Sequence, residues 1–364
     1  MKALTIGGAM IDTIAIIENA GIERMSMLNA GTSFLLLEEG GKTEALEVST
    51  HAGGGGINAA IAFSRLGLDT SVLVKLGDDA RADQIIAALD KDRISRRWVL
   101  RDPRAPTGAS VHVSSHDRNA AVFTFRGANT LLKPEDLTDD AFAVDLVYIA
   151  NLSDQAAHCF PAIVEKAQKS RALIAVNPGI RQLHAHAGAF QGTLPALDVL
   201  SLNRREADEV VSMLERDETR DGAPLAFPDG VSPPALAIRG LRHEGRRVAL
   251  TAFLRALLRR GVGTVLITDG QNGAFAASRG GLYHCPARDV AVLGTAGAGD
   301  AFAATFTAET AIGSAPDRAL QAATLNAAAV LGHIDTTTGL MSRHDIDAAL
   351  DGAIETPNVI SWRL

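Results

Sequence analysis

The chain has 364 residues, 47% of them apolar and 21% charged, enough for one large domain or two ordinary ones with a substantial core. Its 35 Lys and Arg against 42 Asp and Glu leave a formal charge of -7, which gives no electrostatic ground for nucleic acid or an anionic membrane as partner. Two cysteines, Cys159 and Cys285, are too few for a disulfide framework or a cysteine-based zinc site and fit a reducing cytoplasm.

In chain order, Ala3-Leu4-Thr5-Ile6 reads as a buried strand; with one Lys and no long apolar run around it, no signal peptide is expected. Residues 33–49 alternate like a half-exposed antiparallel strand. The run Gly53-Gly54-Gly55-Gly56 then opens a helical pattern over 57–66. Strand 71–74 and helix 83–89 follow, and 108–125 alternates again, as in Ser110-Val111-His112-Val113. Strands 146–149, 173–176, 199–202 and 265–268 lack polar alternation, as strands covered on both faces do, and they are separated by helical patterns at 156–168, 205–214 and 248–260. This alternation predicts an α/β fold: a doubly wound, mostly parallel sheet with helices on both faces. The two alternating segments predict a small β-sheet lid over one edge. The expected division is a core of 1–32, 50–107 and 126–364 and a lid of 33–49 and 108–125. Residues 217–234, rich in Pro, Gly and acidic residues, read as an exposed insertion. The apolar stretch 248–267 carries Arg255, Arg259 and Arg260 and is not a membrane span.

Two segments carry chemistry. In Gly294-Thr295-Ala296-Gly297-Ala298-Gly299-Asp300, small residues precede the apolar helix 301–311 and leave its first N–H groups bare, an anion site. Asp300 is then either a cap for that helix or a base. In Gly53-Gly54-Gly55-Gly56-Ile57-Asn58, four glycines let backbone approach a ligand, and Asn58 offers a donor and an acceptor. The run also fits G-x-G-x-x-A, but a dinucleotide fingerprint follows the first strand of its unit and this one does not. Gly41-Lys42-Thr43 is no P-loop, because Leu36 stands where the first glycine is required. His184 and His186 read as a surface pair, Cys159 as core, and the arginines between 242 and 260 as the solvated side of a helix and its approach.

The two segments together resemble the signatures of the ribokinase-like (PfkB) family of sugar kinases. The first runs from Gly53 to Gly77, with Asn58, Ala60 and Gly67 in register, and the second from Thr295 to Asp300. Echoes lie in order at Gly8-Ala9-Met10-Ile11-Asp12, Asn177-Pro178, Asn203-Arg204-Arg205-Glu206, Thr268-Asp269-Gly270 and Asn326-Ala327-Ala328-Ala329. The resemblance implies an ATP-dependent kinase acting on a small-molecule sugar, with Mg²⁺ as its metal. It makes Asp300 the base and the backbone of Gly297, Ala298, Gly299 and Asp300 the anion hole for the γ-phosphoryl group. Asp12, Gly54, Gly55 and Asn58 would hold sugar hydroxyls. Asn203, Thr268, Gly270, Thr295 and Asn326 would serve the nucleotide, and Glu206, with Asn203, Mg²⁺ through water. It also implies a homodimer through the lid.

Two departures matter. Gly294 stands where the family usually has an Asp tied to a monovalent-cation site, which counts against potassium activation. Gly55 stands where many ribokinases have Lys. A bacterial minor 6-phosphofructokinase type shares both features, so a sugar phosphate is an alternative acceptor, with Lys42, Arg126 or another lid base supplying charge. A nucleoside is another acceptor on the same scaffold. A non-catalytic binding protein is the alternative from another class, and an intact Asp300 argues against it.

Overall fold

The computed structural model describes residues 1–18, 23–27, 32–36, 39–114, 120–220, 222, 224–352 and 357–364. Parts of the expected lid (37–38 and 115–119) and of the insertion (221 and 223) lie outside them. A ten-stranded sheet runs in the order Ile360–Trp362, Gly281–Cys285, Ala274–Ser278, Thr264–Thr268, Val199–Asn203, Leu173–Val176, Leu146–Ile149, Lys2–Ile6, Asp69–Leu76, Val99–Arg101. All strands from Thr264–Thr268 to Val99–Arg101 are parallel, and the three beyond Thr264–Thr268 are antiparallel.

The parallel strands are apolar on both faces because both are covered. Leu4, Ile6, Val147, Ile149, Ile174 and Val176 enter one core, while Ala3, Leu146, Tyr148 and Ala175 enter the other. The second core includes the start of the chemistry: helices Gly55–Arg65, Ala298–Ala311 and Pro316–Leu331 pack there through Ala59, Ala60, Ala301, Ala304, Ala322 and Ala323. Small side chains at these positions permit close helix approach. The chain leaves Lys2–Ile6 for Asp69–Leu76 on one side and later returns to Leu146–Ile149 on the other. The strand order therefore reverses between Lys2–Ile6 and Leu146–Ile149, and a crevice opens beyond their carboxyl ends, the usual place for a ligand in such sheets.

Above that crevice lies a four-stranded sheet in the order Ala45–Gly53, Met10–Ile17, Gly108–Ser114, Ala120–Phe125. It differs from the sequence expectation in two ways. Met10–Ile17, expected in the core, is one of its two middle strands, antiparallel to Ala45–Gly53 and parallel to Gly108–Ser114. Its run Met-Ile-Asp-Thr-Ile-Ala-Ile-Ile buries Ile11, Ile14 and Ile17, so it carries the apolar signature of a core strand without being one. Residues 33–36, expected in the lid, pair instead with Glu23–Met27 in a separate hairpin. The chain passes between the two sheets at Gly7-Gly8, at Gly53-Gly54, at Gly108 and at Gly127. The described part of 217–234 is mostly exposed coil. No helix among the described residues is long and apolar enough to cross a membrane.

Candidate active site

The glycine run seats the start of helix Gly55–Arg65 on the exit of the first strand. Gly56 N–H donates to Gly8 O (3.0 Å) and Thr5 Oγ1 donates to Gly56 O (3.0 Å). Gly54 has φ +95°, and a Cβ there would lie 2.6 Å from Gly8 O. No side chain fits at that contact.

One turn into the helix, Asn58 is almost wholly buried. Its Nδ2 donates to Asp300 Oδ2 (2.8 Å), and its Oδ1 accepts from Thr336 Oγ1 (2.9 Å). The amide uses one N–H and one lone pair within the protein, where it orients Asp300. A Cβ at Gly55 would meet Ala150 Cβ at 2.9 Å and Asp300 Oδ1 at 3.7 Å, so the glycine leaves the approach to the carboxylate clear.

Asp300 lies in the first turn of helix Ala298–Ala311. The cap residue is Gly297, in the left-handed region at φ +81°, and no side chain caps the helix. The capping alternative for Asp300 therefore falls. The first bond of the helix runs from Ala301 N–H to Gly297 O (2.8 Å), so the N–H groups of Ala298, Gly299 and Asp300 precede the intrahelical ladder. A Cβ at Gly297 would stand 2.7 Å from Thr336 Cβ. Thr336 belongs to a loop pinned by Asp335, whose Oδ1 accepts from Thr337 N–H (2.8 Å) and Thr338 N–H (2.7 Å). This loop was not anticipated. Its Asp-Thr-Thr-Thr sequence is a weak turn signal, and its partner Asn58 is 278 residues away.

Asp12, on strand Met10–Ile17 of the small sheet, is buried facing Gly53, where a Cβ would lie 2.1 Å from Asp12 Oδ2. Ser110 Oγ donates to Asp12 Oδ1, and His112 Nε2 lies 2.8 Å from Ser110 Oγ and 3.8 Å from Asp12 Oδ1. Ser110 and His112 were also missed as site residues, because only the parallel register with Met10–Ile17 brings them to Asp12.

Asn203 and Thr268 end adjacent parallel strands in register, and Gly270 (φ +55°) follows with open space beside its Cα. Thr295 is exposed in the loop before Gly297. Asn326 is not at this surface. It is fully buried, its Nδ2 donating to Thr305 Oγ1 (2.7 Å) and its Oδ1 accepting from Met341 N–H (2.8 Å). It ties helix Pro316–Leu331 to its neighbours, which corrects the expectation, carried by the family resemblance, that it serves the nucleotide.

Asn203 and Glu206 form a reciprocal cap: Glu206 Oε2 accepts from Asn203 N–H (2.8 Å) and Asn203 Oδ1 accepts from Glu206 N–H (3.0 Å). Burial pushes the Glu206 carboxyl up to about 7, and the charge of Asp300 adds to the rise against the Asn203 N–H bond. Burial likewise holds the Asp300 carboxyl above the ordinary carboxylate range; the Asn58 amide opposes this and the Asp12 charge reinforces it. Three carboxylates thus converge on one crevice.

The family model for pfkB family carbohydrate kinases matches residues 24–231 and 235–343. The chain belongs to that family. Among its relatives, the deoxyribokinase of Salmonella typhi is 28% identical over 275 residues, covering 74% of this chain and 78% of that one. The fructokinase of Klebsiella pneumoniae is 28% identical over 308 residues, covering 82% and 91%. The fold matches the ribokinase of Thermotoga maritima (TM-score 0.70, 18% identity, 96% and 99% covered). It also matches a nucleoside kinase of Burkholderia thailandensis solved with inosine (TM-score 0.70, 19% identity, 98% and 100% covered). The protein is a phosphotransferase acting on an alcohol group, a carbohydrate kinase of the ribokinase type.

In this kinase the carboxylate crowding has a measurable cost. The Glu206 carboxyl is raised in the fold, so its neutral form stabilises the fold at low pH, and that contribution is lost as pH rises from about 4.5 through about 7. Glu206→Gln keeps the cap and removes the charge. The ligand-free variant should therefore unfold a few degrees higher at pH 8, on the order of 1 kcal/mol, with no gain at pH 5. Thermal denaturation at the two pH values checks this; an equal gain at both would separate the effect from ionisation.

Elsewhere, His184 Nε2 lies 3.0 Å from Glu209 Oε2, and the described residues contain no group of three or more metal-ligating side chains. The arginines read as solvated are partly structural. Arg246 Nη1 donates to Leu214 O (2.6 Å) and Arg260 pairs with Glu218 (2.8 Å), holding down the start of the insertion.

Proposed function

We propose that this kinase transfers the γ-phosphoryl group of ATP to a sugar hydroxyl, with Asp300 as base and the Ala298, Gly299 and Asp300 N–H groups as the anion hole. The observation that carries it is Asp300 held by Asn58 beside three N–H groups at one helix start. Asp300 takes the proton of the acceptor hydroxyl as its oxygen bonds to the γ-phosphorus. The bond from that phosphorus to the β–γ bridging oxygen breaks, and ADP leaves. The N–H groups offset charge on the equatorial oxygens, and the proton passes from Asp300 to solvent. Asp12 and the Gly54-Gly55 backbone orient the acceptor, and Asn203, Thr268, Gly270 and Thr295 border the nucleotide.

Glu206, crowded by Asp300, suits a hydrated hard cation better than a full protein cage would. Mg²⁺ bound there would supply charge neutralisation for the phosphates. A ribokinase-like protein of E. coli, 18% identical with a TM-score of 0.70, was solved with ATP and Mg²⁺. The deciding experiment offers ATP with pentoses, hexoses, nucleosides and hexose phosphates. Phosphorylation of one of them supports the reading, whereas ligand binding without turnover across the panel favours a non-catalytic binding protein.

Two properties follow. A Cβ at Gly294 would meet His333 O at 2.7 Å and Ile334 O at 3.0 Å, so no carboxylate fits where the family's cation-linked Asp usually stands. Exchanging potassium for tetramethylammonium at fixed ionic strength should change the rate well under tenfold, less than about 1.4 kcal/mol of barrier. Larger stimulation would overturn this. The edge strand Ala120–Phe125 exposes Phe123 (63%) and Phe125 (53%), an apolar edge that we assign to a lid-to-lid homodimer. Light scattering should give twice the 38.1 kDa chain mass, and Phe123→Asp should halve it. A wild-type monomer would remove the assignment.

A further inference from the structure

The turn 269–273, which contains Gly270, is closed on itself and held from three sides. Within it, Asn272 N–H donates to Asp269 O (3.0 Å), Asn272 Nδ2 to Asp269 Oδ2 (3.0 Å), and Asp269 N–H to Gly273 O (2.9 Å). Arg204, next to Asn203, places Nη1 3.5 Å from Asp269 Oδ1. Gly273, at φ +85°, sits against the end of strand Gly281–Cys285, where a Cβ would lie 2.1 Å from Cys285 O. The third hold is a buried imidazole: His284 Nε2 lies 3.0 Å from Asn272 O.

A carbonyl oxygen only accepts, so Nε2 carries the proton of the neutral ring and Nδ1 is bare. Nδ1 is buried with no partner among the described residues. Burial holds the imidazole below its ordinary range, against the Asn272 carbonyl and the Asp269 charge. The contacts that fix the ring are apolar. Phe275, its cross-strand partner, lies 4.5 Å away between ring centroids, and Phe227 meets it edge-on at 6.5 Å and 76°. Phe227 comes from the insertion at 217–234 and also packs on Trp362 (5.0 Å), whose Nε1 donates to Ala226 O (2.5 Å). Trp362 is in register with Leu282, two residues from His284 and on the same face of the sheet. The insertion is thus seated on the ring that holds the turn.

We propose that His284 is a positioning residue for the nucleotide, braced by Phe227, and that the insertion thereby tunes ATP affinity. The Nε2–H fixes Asn272 O, and with it the direction in which Thr268 and Gly270 face the nucleotide. A buried acceptor left without its donor is destabilised, so losing this one bond loosens the whole turn. The aromatic contacts set the plane of the imidazole, and removal of Phe227 therefore acts through the same turn. The inference rests on the kinase reading, which puts Thr268 and Gly270 beside the nucleotide.

The test measures amide exchange in the ligand-free chain, and KM for ATP and for the acceptor separately, in wild type and three variants. His284→Phe keeps an aromatic ring and removes the donor. His284→Gln gives up the ring but can set an amide N–H where Nε2 stands. Phe227→Ala leaves His284 and removes its brace. In His284→Phe the amides of Asn272 and Gly273 should exchange about tenfold faster and KM for ATP should rise about tenfold, while KM for the acceptor stays near wild type. Phe227→Ala should move both in the same direction by less, and His284→Gln should recover most of the loss. His284 is buried, so should His284→Phe fail to fold, the half-buried Phe227 gives the variant that decides by the same readouts. Exchange and KM for ATP unchanged in His284→Phe, or a loss in His284→Gln as large as in His284→Phe, would overturn the assignment and leave the kinase reading standing. Faster exchange in His284→Phe, with no ATP bound by the wild type in calorimetry, would support the hold on the turn and overturn that reading.

Discussion

Asp300→Asn should lower kcat by about 10²- to 10⁴-fold while nucleotide affinity stays near wild type. The amide is nearly isosteric, and its oxygen can still accept from Asn58 Nδ2, so the 2.8 Å contact that orients the group survives. What is lost is the lone pair that takes the hydroxyl proton, a loss of about 2.7–5.4 kcal/mol from transition-state stabilisation. The fold should not suffer. Burial and Asp12 already disfavour the charged form of Asp300, so neutralising it relieves a cost at neutral pH. Initial rates with the acceptor found by the panel, beside a thermal midpoint at least equal to wild type, check both halves. Comparable turnover in the variant would remove Asp300 from its role.

Arg343→Ala should cost about 3–5 kcal/mol of stability, the range for stranding one member of a buried ion pair. Glu309, near the end of the helix that begins at Asp300, is 1% exposed; it is bonded to Arg343 Nη1 and accepts from Ser314 Oγ (2.5 Å). Arg343 Nε also donates to Leu66 O (3.4 Å), joining this helix to the end of Gly55–Arg65. Without the guanidinium the Glu309 carboxylate keeps one hydroxyl in an apolar setting. Urea denaturation should show the midpoint falling with the slope unchanged, and Glu309→Gln added to Arg343→Ala should recover part of the loss. A loss below about 1 kcal/mol would mean that water reaches Glu309 in the variant.

The parallel strands were legible because burial on both faces leaves unbroken apolar runs, and the two glycine segments because close backbone approach demands glycine. Met10–Ile17 misled for the same reason: a strand of the small sheet that buries Ile11 and Ile14 looks like a core strand. Strands Ala274–Ser278 and Gly281–Cys285 were missed, being short, rich in Ala and Gly, and antiparallel at the sheet's far side. Asp12 and Asp300 could be found by motif, but not Ser110, Thr336 or the inward turn of Asn326. Those depend on contacts between distant parts of the chain, and composition does not report side-chain direction.

Asp12 rides on the small sheet and Asp300 on a helix of the large one, and each passage of the chain between the two sheets goes through glycine. At three of these crossings a side chain has no room: a Cβ would lie 2.6 Å from Gly8 O at Gly54, 2.4 Å from Asn129 Nδ2 at Gly108 and 2.1 Å from Pro106 O at Gly127. The two sheets are therefore joined there by direct backbone contact, which only glycine permits. A side chain introduced at any of these three glycines would force the sheets apart and change the separation of Asp12 and Asp300 without touching either carboxylate.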